Sequence, residues 1–159
     1  VVPGSHGILT SAEATAKVAE DIGYPVLLKA VHGGGGKGIK VVRSPADIKN
    51  AFNNVYSEAR SAFGNGDLYL EKFVESMRHI EVQILRDAHG CTQVLGLRDC
   101  TVQRNNQKVL EESGSTMLPK DLEQKAYECA ANLADAVDYF GAGTVEFIYD
   151  LKALSLIHI

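Results

Sequence analysis

Four consecutive glycines, Gly33 to Gly36, lie between two short apolar runs, and the kind of element that follows them limits what the chain can fold into. Upstream, Pro25 introduces VLLKAV, interrupted only by Lys29. Downstream, Lys37 and Gly38 lead into IKVVR, which alternates like a strand. Gly33, Gly35 and Gly38 satisfy GxGxxG, but a dinucleotide fingerprint joins a strand to a helix, and here a second strand follows. The sequence Lys37-Gly38-Ile39 also lacks the Gly-Lys-Ser/Thr ending of a P-loop. A glycine-closed β-hairpin is therefore expected. Without Cβ atoms its amides can approach phosphate oxygens, and Lys37 and Lys40 add positive charge beside them. A flexible cover over a triphosphate is one reading, and an ordinary mobile hairpin is the other. Lys29 bears on the choice. A lysine within a buried strand needs a compensating anion, whereas a lysine on an edge strand faces solvent.

Around this hairpin the pattern is α+β. Thr10 and Glu13 have capping-box spacing ahead of Ala14, Val18, Ala19 and Ile22, with Gly23 as a stop. Ser44 and Pro45 open a second helix carrying Ile48, Ala51, Phe52, Val55 and Ala59. After the turn-prone FGNGD come LYLEKF and HIEVQILRD, in which Ile80, Val82 and Ile84 alternate with His79, Glu81 and Gln83. CTQVLGLRD, QKVLEE and GTVEFIY read as further strands of an antiparallel sheet. Between the last two runs, Leu122, Ala126, Cys129, Leu133 and Val137 share one face of a third helix. Two lobes are expected, 1–74 and 75–150, followed by an off-pattern tail, 151–159, that is kept out of the fold as non-native.

Composition removes several function classes. A net charge of -4 argues against nucleic-acid or anionic-membrane surfaces, and no apolar run is long enough to span a bilayer. Cys91, Cys100 and Cys129 form no CxxC pair, so reduced thiols and a cytoplasmic or mitochondrial-matrix location are expected.

Four segments in order, GYPVLLKAVHGGGGKGIKVVRS, LYLEKFVESMRHIEVQIL, RDCTVQRNNQKVLEE and GAGTVEF, resemble the biotin carboxylase component of biotin-dependent carboxylases over Val1 to about Asp150. The resemblance implies an ATP-grasp fold, in which a glycine-hairpin lobe closes over ATP held on an antiparallel lobe. It implies that MgATP, or its manganese counterpart, phosphorylates bicarbonate, and that carboxyphosphate then carboxylates biotin on a carrier domain that also serves a carboxyltransferase component. By motif position, Lys29 is similar to the lysine on the ATP phosphates, and Gly33, Gly34, Gly35, Gly36, Lys37 and Gly38 to the lid. Glu71, Lys72 and Val74 match the segment bordering adenine, mainly through backbone groups, and His79 a residue near the ribose. Glu146 matches the first of two metal-binding glutamates, and a carboxylate on a sheet face suits magnesium. Gln103 and Lys108 match catalytic groups at the phosphate and bicarbonate end, where cationic stabilisation matters most. Glu111 and Glu112 follow, as site residues or as a solvated acidic pair.

Asn105 and Asn106 stand where many members of the family carry Arg and His, so an amide replaces charge. Ser113, Gly114 and Ser115 replace an Ala-Pro-rich stretch. The family's later stretch, with the second metal glutamate, an arginine and the general base, has no counterpart in LKALSLIHI. The expectation is an incomplete chain with weakened nucleotide affinity and no carboxylation of its own. A carbamoyl-phosphate synthetase half and a non-catalytic nucleotide-binding module are the rival readings. The final carboxyl acceptor, oligomeric state and organism are left open.

Overall fold

The computed structural model describes residues 2–34 and 36–158, which fall into two compact units. Gly35, expected in the lid, lies outside the described residues.

The first unit holds residues 2–75, with 105–107 grouped with it. Helix α1 (Ala12–Ile22) begins at Ser11, whose hydroxyl accepts the Ala14 N–H at 3.1 Å, so the cap falls one residue beyond the expected Thr10. Strands β1 (Val26–Gly34) and β2 (Lys37–Val42) form the antiparallel hairpin, and β3 (Leu68–Lys72) pairs on the other side, giving the order β2-β1-β3. Ser44 and Pro45 open a short 3-10 turn, Pro45–Asp47, and helix α2 (Ile48–Phe63) starts only after it. Helix α2 ends at Gly64, which adopts φ 74°, a left-handed stop.

The run VLLKAV is not buried on both sides. Val26, Leu28 and Ala30 are buried with Leu68, Leu70, Val55 and Ala59, while Leu27, Lys29 and Val31 take the opposite face. Lys29 thus stands on the open face of the central strand, neither sunk in a core nor on an edge. The free side of β3 is covered by the start of the chain, where Ser5 N–H donates to Leu70 O and Leu9 N–H to Leu68 O, each at 2.8 Å.

In the second unit, β4 (Met77–Arg86), β5 (Thr92–Asp99), β8 (Glu112–Ser113), β9 (Gly141–Asp150) and β10 (Ser155–His158) form one antiparallel sheet in the order β10-β9-β4-β5-β8. The tail left out of the expected fold supplies β10, in register with β9 from Ser155 opposite Asp150. QKVLEE forms no continuous strand. It breaks into β7 (Gln107–Lys108), paired with β6 (Gln103–Arg104), and the start of β8.

Helix α3 (Lys120–Ala136) covers one face of this sheet, and Leu122, Ala126 and Cys129 pack against it as expected, but the stripe departs from the expected one towards the C-terminal end. Ala126, Ala130 and Ala134 are buried against Ile80, Val82, Phe147 and Tyr149, whereas Leu133 is 44% and Val137 62% exposed. The helix residues buried outright are all alanine, because large side chains rise from the sheet beneath them. Among the described residues no helix is long and apolar enough to cross a membrane.

This packing predicts opposite outcomes for two neighbouring changes in α3. Ala130→Leu should overpack the interface and lower unfolding free energy by roughly 1–3 kcal/mol. Leu133→Ser should change it by less than about 0.5 kcal/mol, as expected for an exposed position. Urea titration of both variants checks the assignment.

Candidate functional site

The expected site residues fall into two groups, one in each unit. In the first, Lys29 lies opposite Tyr69, and Glu71 is two residues further along β3 on the same face. Lys29 Nζ lies 2.6 Å from Glu71 Oε2 and 5.7 Å from the centroid of the Tyr69 ring. The anion that a half-buried lysine requires is therefore supplied by a neighbouring strand. Lys29 and Tyr69 also line a cavity of about 230 Å³ with Gly33, Gly34, Gly36, Lys37 and Asn106.

Gly38, expected among the phosphate donors, is engaged differently. Its N–H donates to Glu58 Oε2 at 3.1 Å, and a Cβ at this position would lie 2.7 Å from the Cβ of Ala30. With φ at 69°, it is glycine because the hairpin must turn tightly against Ala30. Gly38 itself lines the cavity, whereas Lys72 is turned away from it. Its Nζ donates to the carbonyls of Gly23 at 2.8 Å and Tyr24 at 3.1 Å, closing the C-terminal end of α1. Val74 follows β3 and is half-buried.

The second group is built on three adjacent strands. Glu81 on β4 faces Glu146 on β9 and Arg98 on β5, which makes a row of charges across the sheet. Two opposed carboxylates would repel, and Glu81 is only 2% exposed. Cations offset that arrangement. Arg98 Nε donates to Glu81 Oε1 at 2.6 Å, while Lys108 Nζ bonds Glu81 Oε2 and reaches Glu146 Oε1 at 2.7 Å. His79 Nε2 is buried 3.4 Å from Glu146 Oε1, without a hydrogen bond of its own. His79, Glu81 and Glu146 each place a possible ligand atom within 4.8 Å of the others.

These contacts set the ionisation of the site. The imidazole of His79 is the largest influence on Glu146 and acts against burial together with Lys108, so that its carboxyl is held down to about 2. Burial pushes Glu81 up, but the hydrogen bonds from Lys108 and Arg98 outweigh it and leave the carboxyl below its usual range. Burial pulls Lys108 down, yet the two carboxylates prevail and raise its pKa well above the ordinary lysine value. The group is thus ionised throughout: two carboxylates sharing one ammonium.

Gln103 does not join this cluster, since its Nε2 donates to Cys100 O at 3.0 Å. Glu111 is exposed and lies 3.4 Å from Arg98, and Glu112 is exposed in β8 opposite Asp99. Asn105 and Asn106 have a backbone reason to be asparagine. They form the two-residue loop between β6 and β7 with φ of 52° and 59°, left-handed values that Asn tolerates better than Arg. Glu81 and Arg98 were missed as site residues. The alternation of HIEVQIL does place Glu81 on the face of His79, but nothing local in the sequence indicates that β9 lies opposite.

With this geometry in view, relatives can be compared. The family described as "Carbamoyl-phosphate synthase L chain, ATP binding domain" matches residues 1–159. Biotin carboxylase 1 of Bacillus subtilis is 49% identical over 150 residues, covering 94% of this chain and 33% of that protein. Pyruvate carboxylase 1 of Caenorhabditis elegans is 48% identical, over 96% of this chain and 13% of its own length. A Campylobacter jejuni biotin carboxylase solved as a β,γ-ATP complex superposes with a TM-score of 0.97 at 46% identity, covering 100% of this chain and 35% of that one. The Hydrogenobacter thermophilus 2-oxoglutarate carboxylase biotin carboxylase domain, solved with MgADP, ADP and bicarbonate, gives 0.95 at 45%, again covering 100% and 35%. The chain thus spans about a third of the length of the Bacillus and Campylobacter proteins.

For the metal-free protein, the folded Glu146 pKa lies below its unfolded value near 4.5. Its stabilising contribution is therefore complete above about pH 4.5 and is lost as pH falls towards about 2. His79→Asn and Lys108→Met should each raise the Glu146 midpoint in a carboxyl NMR titration. A midpoint unmoved by either change would mean that neither group contacts the carboxylate.

Proposed function

Because the chain belongs to the carbamoyl-phosphate synthase L chain ATP-binding domain family, we propose that it is the nucleotide-binding part of a biotin carboxylase. The observation that carries this reading is the likeness to the Campylobacter ATP complex, which extends over the whole chain and includes the lysine-lined glycine cavity. The family description alone would also suit a carbamoyl-phosphate synthetase half. The carboxylase reading is favoured by relatives named biotin carboxylase, 2-oxoglutarate carboxylase small subunit and pyruvate carboxylase at 46–49% identity.

On this reading the whole enzyme uses ATP to phosphorylate bicarbonate, and the carboxyl group passes through carboxyphosphate to biotin on a carrier domain serving a carboxyltransferase. The first unit, residues 2–75 with 105–107, forms the lid lobe, and the second unit, β10 included, the first part of the partner lobe. Lys29 and the amides of Gly33, Gly34 and Gly36 bind the phosphates, with Lys37 adding charge and Gly38 anchoring the hairpin through Glu58. Backbone groups of Glu71, Lys72 and Val74 border adenine, and His79 lies near the ribose. Lys108 stabilises developing charge at the bicarbonate end, and Gln103, which gives one amide hydrogen to Cys100 O, keeps the other N–H to donate in the same region.

Magnesium fits the donor set. Glu146 offers a hard oxygen that is ionised to about pH 2 and is 38% exposed, so it could hold an ion that keeps several waters. Bound there, the ion would neutralise phosphate charge. The Lys108 ammonium, which bridges Glu146 and Glu81, would then share Glu146 with it.

Calorimetric titration with MgATP tests this reading. Binding to the chain as it stands should weaken about 10- to 100-fold in Lys29→Ala, the loss expected for charge-assisted phosphate contacts of about 1.5–3 kcal/mol. A folded chain that binds no MgATP would overturn it.

A further inference from the structure

The Lys29–Glu71 pair has a chemical role that backbone contacts of Glu71 to adenine would not provide. Both side chains are largely covered, at 22% and 20% exposure, and Nζ to Oε2 is 2.6 Å. Lys29 faces the glycine cavity, while Glu71 reaches the ammonium from beyond the residues that line it. The pair is held by the fold. Register places Lys29 opposite Tyr69, and Glu71 follows on the same face, so the ammonium lies between an aromatic ring and a carboxylate.

We infer that Glu71 is an internal counter-ion that occupies the phosphate-binding charge of Lys29 until a polyphosphate displaces it, and so sets how much negative charge a ligand needs in order to bind. The inference rests on the nucleotide reading of this cavity. A half-covered ammonium without a partner is destabilising, and Glu71 removes that penalty in the unliganded protein. An arriving phosphate oxygen then gains only the difference between its own attraction for Lys29 and that of the carboxylate. Orthophosphate exchanges one anion for another at little advantage, whereas a triphosphate brings further charge to the neighbouring Lys37 and the glycine amides.

Replacing the carboxylate by its neutral isostere removes the competitor while keeping the shape of the side chain. Glu71→Gln should therefore bind inorganic tripolyphosphate about tenfold more tightly than the parent chain by calorimetry, and its preference for tripolyphosphate over orthophosphate should shrink. Glu71→Asp, whose shorter side chain draws the charge back from Nζ, should show a smaller gain of the same sign, and it serves as the test if Glu71→Gln does not fold. A purely structural pair predicts the reverse, weaker binding in both variants. Unchanged or weaker tripolyphosphate binding in a folded variant overturns the inference. MgATP titration of the parent chain, run alongside, reports separately on the nucleotide reading: no binding there sinks that reading, while the ratio of variant to parent for tripolyphosphate still decides the role of Glu71.

Discussion

Glu81 is a carboxylate almost removed from water, directly across a sheet from a second carboxylate, and the second unit is organised around satisfying it. Two like charges at neighbouring positions of adjacent strands oppose the register that the apolar residues require. Ile80, Val82, Val145 and Phe147 must all face α3 together, which forces Glu81 and Glu146 onto the other side together. Arg98 and Lys108 make this tolerable. Lys108 does so from a hairpin with only two residues a side, so the left-handed Asn105-Asn106 turn contributes to the electrostatics of the sheet. The residues proposed to hold magnesium and stabilise phosphate charge are therefore also the ones that allow the strands to pair.

The first unit meets a similar requirement with fewer charges. Lys29 stands on the open face of a central strand, and one carboxylate and one aromatic ring suffice to hold it. Glu81 has two cationic partners in an almost dry position, whereas Lys29 and Glu71 retain partial access to water. Near-complete burial favours a locked cluster, and partial exposure favours a pair that an incoming anion can open.

Much of this was legible in the sequence because local pattern and global fold agree. The strand after the glycines ruled out a dinucleotide turn, and the pairing of β1 with β2 bears that out. The alternation of Ile80, Val82 and Ile84 against His79, Glu81 and Gln83 marked the two faces of β4. Three features escaped for physical reasons. The α3 stripe held at Leu122, Ala126 and Cys129 but not at Leu133 and Val137, because periodicity favours large apolar residues, while Ala130 and Ala134 are the ones buried against the sheet. The choice between a buried and an edge position for Lys29 stayed open because Leu27 and Val31 are apolar on a face that is not core. The partnership of Glu81 with Glu146 depends on a register between segments 65 residues apart, which no local window contains.

The tie between Gly38 and Glu58 has a consequence for the entropy of ligand binding. The Gly38 N–H bond to Glu58 fastens the return limb of the glycine hairpin to α2. Fixing a residue's backbone costs about 1–2 kcal/mol, and more for glycine than for other types. Each residue immobilised in advance is one whose freedom a bound phosphate need not suppress. By holding Gly38, a single carboxylate on α2 limits the disorder that binding must remove.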